Sequence, residues 1–410
     1  MLQHRDDELT VDEYRPARRS LRVAVVTETW PPEVNGVAAT ASRVVAELRE
    51  RGHELQVLRP RQHGADAETD EPGYAEVLMR GLPIPRYPQL KMGLPSRRTL
   101  LRLWGLHRPD VVHIVTEGPL GWSALQAAMA LKLPVVSDFR TNFHAYSRHY
   151  GVAWLQRPIV GYLRKFHNRC ASTMVPTAGL RDELAAAGFR QLRVIARGVD
   201  ARHFDPAKRS PELRRQWGVA EDDPVVVHVG RLAPEKNLDT LVAAYSAMRQ
   251  ANPRTALVFV GDGPSRAALA ARCPDAHFAG LQRGEALAAH YASADLFLFP
   301  SLTETYGNVL PEALASGLAV LAFDYAAAAQ LLATGAGGLT VPYGDNAAFV
   351  AAAAALAGDP ARVAALRAKA RATALVLDWG RIAREVEAEY LSAMAPATQA
   401  VPGLLAPRLS

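Results

Sequence analysis

Cysteine is nearly missing from this 410-residue chain: Cys170 and Cys273 stand alone and far apart. A disulfide framework and a CxxC metal site are therefore excluded, and a reducing compartment fits best. Long apolar runs are also missing. The greasiest tract, AAFVAAAAALAG from Ala347, falls short of the ~20 residues needed to cross a bilayer and reads as alanine helix. The first twenty residues, MLQHRDDELTVDEYRPARRS, are densely charged and hold no apolar core, so they do not read as a secretory signal. No DxD between strands, no HExxH and no Cys/His cluster occurs, which leaves no metal signature. A G-x-S-x-G elbow and a Walker-type G-x-x-x-x-G-K-[ST] are absent too, which lowers the hydrolase and ATPase readings.

What remains is an ordinary globular composition, 49% hydrophobic and 21% charged, with enough apolar material for two cores. The net charge of +6 is uneven. Residues 1–200 carry 28 Lys and Arg against 21 Asp and Glu, whereas the remainder carries 19 against 20. Such asymmetry suits an anionic partner on the first half, although a generally Arg-rich composition accounts for it equally well. No nucleic-acid-binding motif accompanies it. The expected location is the cytoplasm, peripheral on the inner face of its membrane if the acceptor is a lipid.

Strand-like runs, each followed by a helical pattern, recur along the chain. LRVAVVTET leads into TASRVVAELRERG, DVVHIVTEG into GWSALQAAMALKL, and STMVPTA into AGLRDELAAAG. The alternation restarts with PVVVHVGRL, TALVFVGDGP, DLFLFPS and LAVLAFD. Two doubly wound α/β domains with parallel sheets follow. The boundaries predicted are a disordered segment 1–20, a Rossmann-like acceptor domain 21–205 and a Rossmann-like nucleotide-sugar domain 206–378. A C-terminal helix 379–395 then packs back on the first domain, and 396–410 forms a disordered tail.

In such sheets ligands bind beyond the carboxyl ends of strands. In VGRLAPEKNL a strand ends at Gly230, and Arg231 and Lys236 follow as a cation pair suited to a diphosphate. In SLTETYGNVLPEALASG, Glu304 follows a buried strand, and Asn308, Val309 and Leu310 open a helix whose amides suit phosphate oxygens. Pro311 fits the first helical turn, and Glu312 lies one residue inside. From there Glu312 can accept from a ribose diol while Glu304 takes a sugar hydroxyl. The plainer alternative has Glu312 complementing the helix dipole and Glu304 solvated. Gly36, in Asn35–Gly36–Val37, opens another helix where backbone can approach phosphate. SDFRTNFHAYSRHYG places Arg140 and His144 just after a strand, in a stretch without acids between Asp138 and Asp182.

Taken together, NGV, VGRLAPEKNL and SLTETYGNVLPEALASG resemble family 4 of the retaining GT-B glycosyltransferases over roughly residues 21–395. Finer features, TEGPLGWSALQAA and ARGVDARHFDP among them, are similar to bacterial glycolipid mannosyltransferases and to sulfoquinovosyl-diacylglycerol synthase. The resemblance implies a nucleotide diphosphate sugar donor, no cofactor and no metal. Glu312 would hold the ribose and Glu304 the donor sugar. Arg231, Lys236, Gly36 and the Val309–Leu310 backbone would hold the diphosphate, beside Gly230 and Asn308. A front-face mechanism with charge stabilisation by Arg231 and Lys236 is implied. Arg140 stands where relatives often carry a His that touches the donor sugar, which suggests a donor sugar with an anionic or strongly accepting group and leaves His144 as the nearest substitute for that role. The acceptor would be a lipid or glycan hydroxyl. A soluble small-molecule acceptor, a sugar-nucleotide epimerase and a non-catalytic nucleotide-sugar-binding module are the alternatives.

Residues 81–109 contain six Lys and Arg and no acid. Ser96 is placed to cap a short helix with Leu100, Leu103, Trp104 and His107 on one side and Arg97, Arg98 and Arg102 around it. Together with VGYLRKFHNRC this suits an anionic membrane surface, or a core helix with a solvated basic edge.

Overall fold

The computed structural model describes residues 20–33, 35–84, 87–140 and 156–395. His144 and the 396–410 tail lie outside these. Sixteen strands are described: β1 Arg22–Val26, β2 Glu54–Pro60, β3 Thr69–Glu71, β4 Tyr74–Met79, β5 Gly81–Ile84, β6 Tyr87–Gly93, β7 Val111–Ile114, β8 Val135–Asp138, β9 Ser172–Val175, β10 Leu192–Val194, β11 Val225–Val229, β12 Ala256–Val260, β13 His277–Gly280, β14 Leu296–Phe299, β15 Ala319–Phe323 and β16 Gly338–Val341. Fourteen of them form an eight-stranded sheet ordered β10-β9-β8-β7-β1-β2-β4-β3 and a six-stranded sheet ordered β13-β12-β11-β14-β15-β16, and β5 and β6 pair separately. Within the two large sheets all pairs are parallel except β3 with β4, an antiparallel edge on the first, while β5 and β6 pair antiparallel.

The central strands are continuous apolar runs because helices cover both faces. VVVHV, LFLF and AVLAF are buried at every residue. The order reverses between β1 and β7 in the first sheet, and between β11 and β14 in the second. The loops leaving the carboxyl ends of these strands therefore open onto crevices where such sheets take ligands.

The second sheet begins at Val225 and the first ends at Val194, so the crossover occupies 195–224. A second crossover returns the chain. The helix Trp379–Met394 buries Trp379, Ile382, Val386 and Tyr390 among Val23, Val25, Val44 and Val45 of the first sheet and its helix. Each such aliphatic side chain is worth about 1.5–3 kcal/mol of burial. Arg51 Nε donates to Glu387 at 3.0 Å and fixes the same contact. A Cβ on Gly198 would meet the Trp379 ring at 2.4 Å, and Val199 N–H donates to Leu377 O at 2.9 Å. The ARGVD segment is thus clamped by the returning chain.

The hairpin β5–β6 escapes the sequence reading. Pro83, Pro85 and Pro88 make the stretch look like a loop, but an edge hairpin tolerates missing amide donors. Glu28 anchors it: its carboxylate accepts from Gly93 N–H at 2.5 Å and from Leu120 N–H at 2.9 Å. The helix after it, Arg97–Leu106, also departs from expectation. Ser96 makes no capping bond and instead donates to Leu94 O, while Leu100 and Trp104 are fully buried in the core. Among the described residues no single helix is long and apolar enough to cross a membrane. The alanine-rich helix Asn346–Ala357 buries Phe349, Ala353 and Leu356 in the second core.

Candidate active site

The loop after β11 starts at Gly230, whose φ of +147° favours glycine. Gly261 lies against it so tightly that a Cβ there would sit 2.0 Å from Gly230 O. The glycines of GDGP are needed for this backbone packing, which lets the loops after β11 and β12 nest together. Next comes the short turn Pro234–Lys236, and Asn237, left-handed at φ +54°, leads into the helix Leu238–Ala251. Lys236 Nζ reaches the loop after β14 and donates to Glu304 Oε1 at 2.5 Å, where Ser301 Oγ also donates at 2.7 Å. Arg231 is half-exposed, with Nη1 3.7 Å from the buried Glu235 carboxylate. The sheet order thus brings Arg231, Lys236 and Glu304 to neighbouring strand ends although Lys236 and Glu304 are 68 residues apart.

Glu312 is held differently. The helix begins at Val309, two residues before Pro311, so Glu312 is its fourth residue and not its second. Its carboxylate accepts from Tyr291 Oη–H at 2.9 Å. Burial pushes its pKa up to about 7, against the opposing effect of the Tyr291 bond. Leu310 N–H donates to Gly307 O at 3.0 Å and its side chain is fully buried. That amide is therefore already engaged in tightening the turn.

Residues 305–308 tie the two domains together. Thr305 Oγ1 donates to Arg140 O at 3.2 Å, and Tyr306 Oη donates to Arg197 O at 3.2 Å. Asn308 Nδ2 donates to Thr40 Oγ1 at 3.3 Å, while Asn308 Oδ1 accepts from Arg197 Nη1 at 3.3 Å. Gly36 is exposed at the start of its helix, and a Cβ there would come within 3.3 Å of Asn308 Nδ2. The adjacent amides of Val37 and Ala38 are capped by Asn35 Oδ1. Asn308 and Gly36 therefore meet across the crevice as an interdomain contact.

Arg140 is buried beside Asp138, which accepts from Arg140 Nε at 2.6 Å and lies 2.9 Å from His113 Nε2. Burial raises the Asp138 carboxyl, but the Arg140 guanidinium and the hydrogen-bonded His113 ring beside it hold it well below the usual range. Tyr390 Oη lies 2.7 Å from His113 Nδ1. A buried polar chain thus runs from the C-terminal helix to the cleft edge. Arg197, Asp138, His113, Tyr390, Ser301 and Tyr291 were not among the residues singled out from sequence. Their signal was weak because each acts through the fold, on segments without a motif of their own. Among the described residues no group of three or more His, Cys, Asp or Glu is arranged to hold a metal ion.

Two parallel sheets facing one crevice, with cations and carboxylates from strand ends, define the GT-B class of glycosyltransferases. The family profile described as "Glycosyltransferase Family 4" matches residues 34–203, and that described as "Glycosyl transferases group 1" matches 223–359. The chain is similar to a GDP-mannose-dependent alpha-mannosyltransferase of Mycobacterium tuberculosis, 37% identical over 79% of this chain and 85% of that one. It is also similar to a GDP-mannose-dependent alpha-(1-6)-phosphatidylinositol monomannoside mannosyltransferase of Mycolicibacterium smegmatis, 32% identical over 86% of this chain and 93% of that one. The fold is shared with sucrose-phosphate synthase of Thermosynechococcus elongatus, at a TM-score of 0.73 and 19% identity over 90% and 98% of the two chains. The chain belongs to glycosyltransferase family 4, and the protein is a glycosyltransferase enzyme.

Proposed function

We propose that this enzyme moves a hexose, with retention and without a metal, from a nucleotide diphosphate sugar to a hydroxyl of a lipid or glycan. The observation that carries this reading is the Lys236–Glu304 pair at the carboxyl ends of β11 and β14, with Arg231 beside it. A diphosphate can take the Lys236 ammonium and the Arg231 fork as partners, which stabilises the leaving nucleotide as charge develops on it. Glu304, released from Lys236, takes a hydroxyl of the sugar, and Glu312 takes the ribose diol. Arg140 approaches the donor sugar. Gly230, Gly36, Asn308 and Val309 adjoin the same crevice, whereas Leu310, buried in the core with its amide engaged, offers no free group to the donor. His144 is assigned to the donor sugar on its position in the sequence alone. The donor is of the GDP-mannose or UDP-glucose type; the names of the two similar mannosyltransferases favour GDP-mannose.

The phosphatidylinositol mannoside in one relative's name supports a lipid acceptor reached from an anionic membrane surface. On the first domain Arg97, Arg98, Arg102, Arg164 and Lys165 are exposed, as are the apolar Leu106 and Tyr162, the latter's ring packed on Trp122. Leu100 and Trp104, being core, take no part. A membrane reads this basic face through charge, with Leu106 as an apolar foot.

The test is a thermal-shift screen against GDP- and UDP-sugars, followed by transfer to lipid extracts with NMR of the product anomer. Stabilisation by one donor, activity that persists in EDTA and a retained anomeric configuration are expected. Absence of any nucleotide-sugar response refutes the reading. Co-sedimentation with anionic but not neutral liposomes checks the membrane face.

A further inference from the structure

Two arginines of the first domain are left with an unusual electrostatic problem. Arg140 and Arg197 are both more than nine-tenths buried, at 9% and 7% exposure. Among the described residues, Arg140 Nη1 and Arg197 Nη2 are buried N–H groups without a hydrogen-bond partner. Asp138 pairs with Arg140 and is shared with His113. Among the described residues, Arg197 donates to the neutral Asn308 oxygen at 3.3 Å and lies over the Tyr306 ring, whose centroid is 5.7 Å from its guanidinium carbon. Burial and the Arg140 charge push the Arg197 pKa down to about 9. Two buried cations therefore share one carboxylate, and a buried charge left short of a partner is costly.

Their surroundings point to what relieves this. A cavity of about 20 Å³ at the ends of β8, β9 and β10 is lined by both arginines with Thr40, Asp138 and Ala196. It has room for the end of a small group but not for a sugar ring. Thr305 and Tyr306, bonded to the Arg140 and Arg197 carbonyls, directly follow Glu304 in the chain. The backbones of both arginines thus adjoin the loop that carries Glu304, and the Glu304 charge also acts on Arg197.

We propose that Arg140 and Arg197 form a second anion subsite that takes a carboxylate carried by the transferred sugar, making a hexuronate the donor sugar. The proposal rests on the nucleotide diphosphate sugar reading above and replaces its neutral hexose with an acidic one. Two guanidinium forks suit the planar carboxylate, and the anion satisfies both orphaned N–H groups. A neutral hydroxymethyl at the same place leaves one cation uncompensated.

The test titrates wild type calorimetrically with UDP and GDP, then with two matched pairs, UDP-glucose with UDP-glucuronate and GDP-mannose with GDP-mannuronate. In at least one pair the acidic donor should bind about 30-fold tighter, as a charge-assisted pair allows. Arg197→Gln should collapse that ratio to a few-fold. The ratio is the readout because a merely structural defect weakens both members of a pair alike. Should Arg197→Gln fail to fold, Arg197→Lys, which keeps the charge and loses the fork, should lower the ratio partway. Tight nucleotide binding with no acid preference in either pair overturns the subsite alone. No binding of any nucleotide overturns the donor reading and the subsite with it.

Discussion

The two halves of the cleft carry their positive charge in opposite ways. The second domain offers Lys236 and Arg231 on a loop after a strand end, each already beside a carboxylate, Glu304 and Glu235. The first domain buries Arg140 and Arg197, which share Asp138 with a histidine. A cation beside a carboxylate at a partly exposed site can exchange that partner for an incoming phosphate at small desolvation cost. A cation fixed in the interior cannot move to its ligand, so the ligand must bring the matching charge to it. On the proposed reading, the contrast separates a side that responds to the leaving group from a side that selects the sugar.

The strongest way to break the comparison is Lys236→Ala. It removes the cation proposed to meet the departing phosphate and leaves Glu304 with Ser301 but no cation beside it. A loss of about 10²–10³-fold in kcat is expected, as for removal of one preorganised charge. Arg231→Ala, at a half-exposed position, should cost about tenfold. Steady-state donor turnover measures both, and equal, small losses would erase the distinction. A smaller effect comes from Asn308→Ala, which deletes the bonds to Thr40 and Arg197 that join the halves. With one neutral bond and one bond to the Arg197 cation lost, KM for donor should rise at least tenfold with kcat less affected, and small-angle scattering should report a more open particle. Tyr390→Phe probes the first domain's fixed side from behind. It removes the hydroxyl at His113, the far end of the chain reaching Arg140. A loss of about 1–2 kcal/mol in unfolding free energy is expected, together with weaker donor binding.

Sequence reveals these two sides unequally. Arg231, Lys236, Glu304 and Glu312 stand next to strand ends and a helix start, and strong apolar runs make those elements plain. The alternation of βVVVHV-type strands with helices likewise determines two parallel sheets. Arg197 lies in ARGVD, a short polar piece whose position depends on Trp379 and Leu377 nearly two hundred residues later. No local period signals that contact. Asn308 reads as a helix opener, yet its side chain serves the joint between domains, a role that exists only once both sheets have formed. The Leu100 and Trp104 stripe was ambiguous between core and membrane because a short amphipathic helix serves either; only packing against Gln56 and its neighbours decides for the core. Prolines concealed the hairpin that Glu28 anchors.

Glu312 supplies the mildest perturbation and the sharpest one for the proposed ribose end of the site. Its folded pKa of about 7 lies above the ordinary 4.5, because burial disfavours the charge. The stability it contributes is fully present below 4.5 and is lost as pH rises through about 7. Without ligand, Glu312→Gln should therefore be more stable than wild type at pH 8 and show less decline between pH 5 and 8. Donor binding should run the other way. A diol donates to the ionised carboxylate and favours it, so affinity should climb with pH up to about 7 and level off above, by at most tenfold per unit. In Glu312→Gln the slope should vanish while the affinity above pH 7 falls. Titrating nucleotide into both proteins from pH 5.5 to 8.5 measures the difference. Parallel profiles would mean that Glu312 faces Tyr291 alone, and that the second domain's grip on the nucleotide ends at its cations.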